Sequence, residues 1–201
     1  ITLSGGAFQA TVSFIISEDN EVEGDETFIV TLKSRENIDL ALENQVSATV
    51  TIIDNDTFPF ANGLLISNEG PFGGGFGSVS FASADLQTVQ NGIYEDVNND
   101  NLGNIVQSIG FNNDQAYVIA NNANRITVVN RFSFQETARI ETGLNNPRYF
   151  VAIGDNGYVT NWGDPSVATD DFIAIIDLAS NTVTGTIPVV EGPELLLYNG
   201  T

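Results

Sequence analysis

A block of 16 residues recurs along this chain at a constant spacing. The blocks start at Ser78, Arg125 and Phe172, so that consecutive starts are 47 residues apart, and they read SVSFASADLQTVQNGI, RITVVNRFSFQETARI and FIAIIDLASNTVTGTI. Each block begins with an apolar strand pattern, continues through a short polar turn and ends in a second strand that finishes at Ile93, Ile140 or Ile187. A repeating strand-turn-strand unit of this length is typical of propeller blades, because one small sheet cannot bury its faces until neighbouring units stack on it. The sequence therefore predicts an all-β fold made of repeated small sheets.

The net charge and the absence of two residue types limit which partners the chain can bind and which reactions it can catalyse. Lys and Arg number 6 against 26 Asp and Glu, a formal charge of −20, which repels phosphate backbones and argues against nucleic-acid binding. The absence of His and Cys excludes Ser-His and Cys-His catalysis and the usual zinc ligands. No apolar run reaches the roughly 18 residues of a membrane-spanning helix. Carboxylate pairs such as Asp170-Asp171 could serve acid-base or metal-assisted hydrolysis, but adjacent residues of a strand point to opposite faces. We therefore expect a protein that is not an enzyme, has no membrane span and binds no nucleic acid.

The chain changes character near residue 57. Residues 1–57 are rich in carboxylates, whereas residues 58–201 are richer in Gly and Asn and carry the repeat. In the second part we predict strands near 64–68, 78–81, 105–111, 116–120, 125–130, 136–141, 149–153, 157–161, 171–177, 182–189 and 194–198. These make roughly two and a half four-stranded blades, whereas closed propellers have about 4–8, so we expect the ring to continue beyond residue 201.

Residues 1–57 resemble the C-terminal half of a Calx-β domain. The resemblance rests on the acidic run 18–28, the strand 27–32 and the ending 49–56, which closes with Asp-Asn-Asp. It implies an immunoglobulin-like β-sandwich, present in part, whose loops bind Ca²⁺ in several members of the family. By position it implies the ligands Asp19, Glu23, Glu26, Asp54 and Asp56. Oxygen ligands at this density suit Ca²⁺, and the alternative is an acidic, solvated loop that caps the sandwich.

Residues 58–201 resemble the YncE-like propellers of Bacteroidota surface lipoproteins. The resemblance is carried by the motifs ISNEG (66–70), LGN (102–104), GLNNPRY (143–149), YVTNWGD (158–164) and GPE (192–194). It implies a propeller that is usually seven-bladed and lies on the cell surface, at the exterior of the outer membrane, lipid-anchored or secreted. Some members of that family, the vitamin B12-binding surface lipoproteins among them, sit over TonB-dependent transporters and capture ligand.

One face of the predicted blades carries the candidate ligand-binding residues. In a propeller, the segment leading into the innermost strand and the loop between the second and third strands open on the same face. These segments contain Asn121, Asn122, Arg148, Trp162, Asp164, Asp171 and Glu194. Trp162 could stack on a sugar or another planar ligand, and Arg148 could orient an anionic group. The alternative is structural: Arg148 pairs with Glu194 between neighbouring blades, and Trp162 packs between sheets.

Two functions follow from these resemblances. The first is a cell-surface binding module that captures a small-molecule or glycan ligand, or docks on an outer-membrane TonB-dependent transporter or another surface protein. The second is a structural or adhesive surface protein that a secretion system exports and whose modules are stiffened by calcium. Ca²⁺ is the one cofactor that the Calx-β resemblance implies, and no catalytic residue is predicted.

Overall fold

The computed structural model describes residues 13–16, 22–31, 47–54 and 57–200 of the chain. The chain forms two compact units, Ile1–Thr57 and Phe58–Thr201. In the first unit, strands β1 (Glu26–Thr31) and β2 (Ser47–Ile52) form an antiparallel pair. Their apolar side chains alternate in exposure as expected of strands: Phe28 is half-buried, whereas Ile29 beside it is 66% exposed.

The second unit contains three antiparallel sheets in which strands follow one another in chain order. The first sheet has three strands, β3 (Gly63–Asn68), β4 (Ser78–Ser83) and β5 (Val89–Gln90). The second has four: β6 (Val106–Asn112), β7 (Gln115–Ala120), β8 (Arg125–Asn130) and β9 (Glu136–Ile140). The third also has four: β10 (Pro147–Ile153), β11 (Asn156–Asn161), β12 (Phe172–Asp177) and β13 (Thr182–Pro188). The predicted all-β class is confirmed.

The repeated block corresponds to the same pair of strands in each sheet. Its three starting residues are the first residues of β4, β8 and β12. The sixth residue of the second and third blocks stabilises the turn that follows it. The Asn130 side-chain oxygen accepts the N–H groups of Phe132 and Ser133. The Asp177 carboxylate accepts the N–H and the hydroxyl of Ser180. Asn and Asp favour turns because their side chains can accept these backbone donors. The repeat is therefore the hairpin between the third and fourth strands, or their equivalents in the first sheet.

Two strand predictions are wrong, the end of the first block and the strand 194–198. In the first block, Ile93 does not end a strand but begins a six-residue helix, α1 (Ile93–Asn98), after the two-residue strand β5. Gly92, at φ 69°, turns the chain away from the sheet, and Ile93 and Tyr94 are fully buried in the core. Residues 194–198 form no strand, and no strand in the described part of the chain pairs with them. In the residues that the structure covers, no helix has the length and apolar character needed to cross a membrane.

The sheets pack face to face, and the second sheet is buried on both sides. Ala116 and Val118 of β7 join a core cluster with residues of the first sheet and α1, including Val79 and Tyr94. The alternate residues of β7, Tyr117 and Ile119, belong to a second cluster. This cluster also contains residues of the third sheet: Phe150, Val159, Ala174 and Ile176. Since neighbouring side chains of a strand point to opposite faces, β7 is apolar throughout. The stacked sheets hold the loops at their ends in place.

Candidate ligand-binding site

The candidate site lies at one end of the strands, where the loops after β7 and β11 meet the residues that lead into β6 and β10. Ile105 and Asn146, just before those strands, both have left-handed backbones, with φ of 60° and 50°. Their carbonyl oxygens accept the backbone N–H groups of Asn121 (2.8 Å) and Trp162 (3.1 Å), the first residues after β7 and β11. A left-handed conformation is unusual for a β-branched residue such as Ile105. Its recurrence in both sheets indicates that this turn positions the loop, and with it Trp162.

Trp162 is held from two sides by polar partners. The guanidinium of Arg148 lies over the indole, 3.9 Å from the ring centroid, and the indole N–H donates to the Pro193 carbonyl at 3.1 Å. Arg148 also donates two hydrogen bonds to the Glu194 carboxylate, at 2.9 Å and 3.4 Å. The cation therefore supports the indole and is paired with a carboxylate. This pairing is the structural role that the sequence gives as the alternative for Arg148, and the two donors that it uses are not available to an anionic ligand.

A cavity of about 250 Å³ opens beside Trp162. Its lining combines an aromatic ring, two further apolar side chains and three carboxylates: Trp162, Asp164, Pro165, Val167, Asp171 and Glu191, with Gly192. The Arg148 guanidinium is not among these lining residues. The cavity thus favours neutral or cationic ligands and disfavours anions, because like charges repel in a partly desolvated site.

Short hydrogen bonds give the acidic wall its shape. Asp171 is 3% exposed, and its carboxylate accepts the N–H of Gly192 at 2.6 Å. Asp170 accepts the N–H of Asp164 at 2.8 Å through Oδ2, while its Oδ1 is buried without a hydrogen-bond partner in the part of the chain described. At Gly163, with φ of 65°, a Cβ would lie 2.4 Å from Asp170 Oδ1, so only glycine fits there.

Asp164 is one of two exposed carboxylates of this wall, together with Glu191. Hydrogen bonds from the Ser166 hydroxyl, the larger effect, and from the Ser166 N–H lower the pKa of Asp164 below its usual value. Both donors stabilise the charged form. Asp164 is therefore an acceptor at neutral pH, available to a ligand hydroxyl, and does not supply a proton.

The predicted residues occupy three different positions in this arrangement. Trp162, Asp164 and Asp171 line the cavity, whereas Arg148 and Glu194 lie behind the indole, paired with each other. The Asn121 side chain donates to the Pro147 carbonyl and the Asn122 side chain to Asn104 Oδ1, so both hold loops together outside the cavity. Sequence reasoning missed the lining residues Pro165, Val167 and Glu191. Their only sequence signal is that they follow Trp162 or precede the Gly-Pro-Glu motif.

The predicted calcium ligands are only partly described. Asp19 and Asp56 lie outside the described residues. The Asp54 carboxylate accepts the N–H groups of Glu23 (2.9 Å) and Gly24 (2.7 Å), which brings the two predicted loops together. Glu26 is exposed at the start of β1. Across the described ranges, no group of three acidic side chains is arranged to hold a metal ion, and the calcium site stays a prediction.

Comparison with known proteins gives three findings. Residues 62–199 match the model of a family described as "Domain of unknown function (DUF5074)". Among solved structures, the chain is similar to hydrazine synthase of Kuenenia stuttgartiensis, with 22% sequence identity and a TM-score of 0.48. That match covers 68% of this chain and 36% of the other, so this chain spans about a third of its length. No curated protein matches the chain.

Proposed function

The chain belongs to the DUF5074 family, and we propose that it is a non-enzymatic, cell-surface binding module. The ligand site in this proposal is the Trp162 cavity, and the scaffold is a β-propeller that residues 58–201 form in part. The observation that carries the proposal is the indole of Trp162, oriented by Arg148 and Pro193 beside a cavity with carboxylate acceptors.

The propeller is supported by how the three sheets stack. Each is a meander of consecutive strands, and the first strands of the second and third sheets, β6 and β10, pack against each other. The third and fourth strands repeat at 47 residues, as stacked blades require. The resemblance to YncE-like propellers implies seven blades for the complete ring.

The ligand class we propose is a neutral sugar. Sugars present C–H faces that pack on indole rings and hydroxyl groups that donate to carboxylates. The Trp162 cavity offers both, with Pro165 and Val167 as additional apolar contacts and Asp164 as an exposed acceptor. Its acidic wall disfavours anionic ligands. For the same reason we do not expect phosphorylated compounds to bind in this cavity.

Tryptophan fluorescence tests the ligand proposal directly, because Trp162 is the only tryptophan of the chain. A panel of neutral mono- and oligosaccharides is titrated against the protein, and at least one member should change the emission in a saturable way. Asp164→Asn should weaken that sugar several-fold, while Asp155→Asn, a substitution at the opposite strand ends, should leave it unchanged. A panel that leaves the emission constant, or equal affinity in Asp164→Asn, would contradict the proposal.

The cellular location and the partner form a separate part of the proposal. From the family resemblance we infer an outer-membrane surface location, lipid-anchored or secreted, and a TonB-dependent transporter as partner. The test is purification of the tagged protein from detergent-solubilised outer membranes of the source cell. A transporter should co-purify in stoichiometric amount, and recovery of the protein alone would count against this partner.

A structural or adhesive role is the second candidate, and one observation favours it. Arg148 is paired with Glu194 and stacks on Trp162, whose indole N–H donates to the Pro193 carbonyl. Asn121 and Asn122 tie neighbouring loops, as a rigid spacer would require. Under this function the protein is released by a secretion system, and its modules are stiffened by calcium. Radiolabelled palmitate distinguishes the lipid-anchored form of the binding module from secreted cargo: label on the protein supports the anchored module, and unlabelled protein in the medium supports secreted cargo.

A further inference from the structure

A second cavity, of about 350 Å³, lies at the opposite ends of the strands from Trp162. It is formed where β3 begins, where β6 ends and where the chain turns after β8. The side chains that matter for its chemistry are Phe60, Leu64, Leu65, Phe111, Arg131 and Phe132. The volume is within the range of small-molecule sites, about 300–1,000 Å³.

Arg131 is the distinctive residue of this cavity. The other arginines of residues 58–200 are each paired with a carboxylate: Arg125 with Glu141, Arg139 with Glu136 and Arg148 with Glu194. Within the described ranges, the Arg131 guanidinium forms no ion pair, although the chain carries 26 acidic residues. No acidic residue lines the cavity either. The cavity therefore has the opposite charge character to the Trp162 cavity.

Aromatic contacts position this cation without using its hydrogen-bond donors. The guanidinium carbon lies 4.6 Å from the centroid of Phe132 and 5.7 Å from that of Phe111. Stacking occupies the face of a guanidinium and leaves the N–H groups at its edge available to a carboxylate. The Phe132 ring is itself stacked on Phe58 at 4.8 Å, and the Phe60 N–H donates to the Phe132 carbonyl at 3.0 Å. The turn that carries Arg131 is thus held against the segment before β3.

The cavity walls are apolar and partly open to solvent. Leu64 is 56% exposed and Phe111 is 48% exposed, whereas Phe60 is 7% exposed and forms the floor with the core. A ligand that covered Leu64 and Phe111 would remove apolar surface from water, and a single carboxylate at its end would reach Arg131. We propose that this cavity binds a small apolar or aromatic molecule that carries one carboxylate.

The test uses 4-phenylbutyrate as the probe, titrated against the 201-residue chain and followed by protein NMR. 4-Phenylbutan-1-ol is the matched uncharged probe, and butyrate is the probe without the ring. Phenylbutyrate should bind more tightly than both. Arg131→Gln should weaken it about ten-fold, the equivalent of about 1.4 kcal/mol, because a charge-assisted hydrogen bond is lost. Arg125→Gln removes a cation elsewhere and should leave the affinity unchanged.

Two further measurements keep the test decisive. Leu64→Asn changes an exposed wall residue and should weaken the binding of the acid and of the alcohol alike. This variant still tests the cavity if Arg131→Gln folds poorly. The emission of Trp162 should stay constant during the titration, since the probe binds at the other strand ends. The proposal is overturned if the wild type does not bind the acid, if the alcohol binds equally well, if Arg131→Gln has no effect, or if Trp162 responds.

Discussion

Replacement of Phe150 by alanine should destabilise residues 58–201 more than any surface substitution, because this ring joins the second and third sheets. Phe150 is 9% exposed and stacks on Tyr117 with ring centroids 4.2 Å apart and planes 9° from parallel. Phe→Ala substitutions in cores cost about 3–5 kcal/mol. Stacked aromatic pairs contribute about 0.5–1.5 kcal/mol beyond the area that they bury. We therefore expect Phe150→Ala to lower the free energy of unfolding by about 4 kcal/mol.

The glycines around the ring permit a second, compensating substitution. A Cβ on Gly110 would lie 2.4 Å from Phe150 Cδ1, and one on Gly157 would lie 2.5 Å from Phe150 Cε2. Gly110→Ala alone should therefore cost about 1–3 kcal/mol through overpacking. In the Phe150→Ala background the same methyl group would enter the space left by the ring. The double variant should consequently be more stable than the sum of the two single effects predicts.

Urea unfolding provides the measurement, followed both by Trp162 emission, which reports only on residues 58–201, and by far-UV circular dichroism. Phe111→Ala is the matched control, because that ring is 48% exposed and should cost less than about 1 kcal/mol. The argument fails if Phe150→Ala and Phe111→Ala cost the same, or if Gly110→Ala is equally harmful with and without the Phe150 ring.

Three other predictions concern titration, the indole support and calcium. Burial, and then the contact with Glu136, raises the pKa of Tyr94 from 10.0 to about 12. The unfolded chain therefore loses this proton first as the pH rises. The contribution of Tyr94 to the free energy of unfolding is therefore present below pH 10 and is lost towards pH 12, by at most about 1.4 kcal/mol per pH unit. The free energy of unfolding of Tyr94→Phe should fall less over that interval than that of the wild type. Arg148→Met should cost about 1–2 kcal/mol through the ion pair and the indole contact, and less in a Glu194→Gln background; equal costs in both backgrounds would refute the coupling. Calcium should release or absorb heat on titration, with weaker binding by Asp54→Ala, and a titration without heat or change in melting temperature would rule the site out.

Local patterns were enough to locate most strands of the second unit. The predicted ranges near 125–130 and 136–141 match β8 (Arg125–Asn130) and β9 (Glu136–Ile140) closely. Their apolar runs and the turn residue Asn130 are signals that act within a few residues. The helix α1 gave no such signal, because six residues are too short to show a helical period. Its buried Tyr94 is stabilised by contacts with Glu136 and Arg139, which are far away in the chain.

The candidate site could be predicted only in part. Trp162 was identified because it is unique in the chain and follows a predicted strand. Its orientation depends on Arg148 and Pro193, and neither contact has a pattern in the sequence. The sequence carries no signal for Arg131, since its lack of an ionic partner appears only when the positions of the surrounding carboxylates are known.

By itself, the sequence determined the all-β class, the repeated hairpin at Ser78, Arg125 and Phe172, and the strongly acidic net charge. These properties depend on strand periodicity, turn residues and net charge, which are local or additive along the chain. Only the tertiary structure decided which arginines are paired, which face of Trp162 is covered and where two cavities of opposite charge open. Those outcomes depend on distances between residues that are far apart in the chain, and such distances exist only after the sheets have stacked.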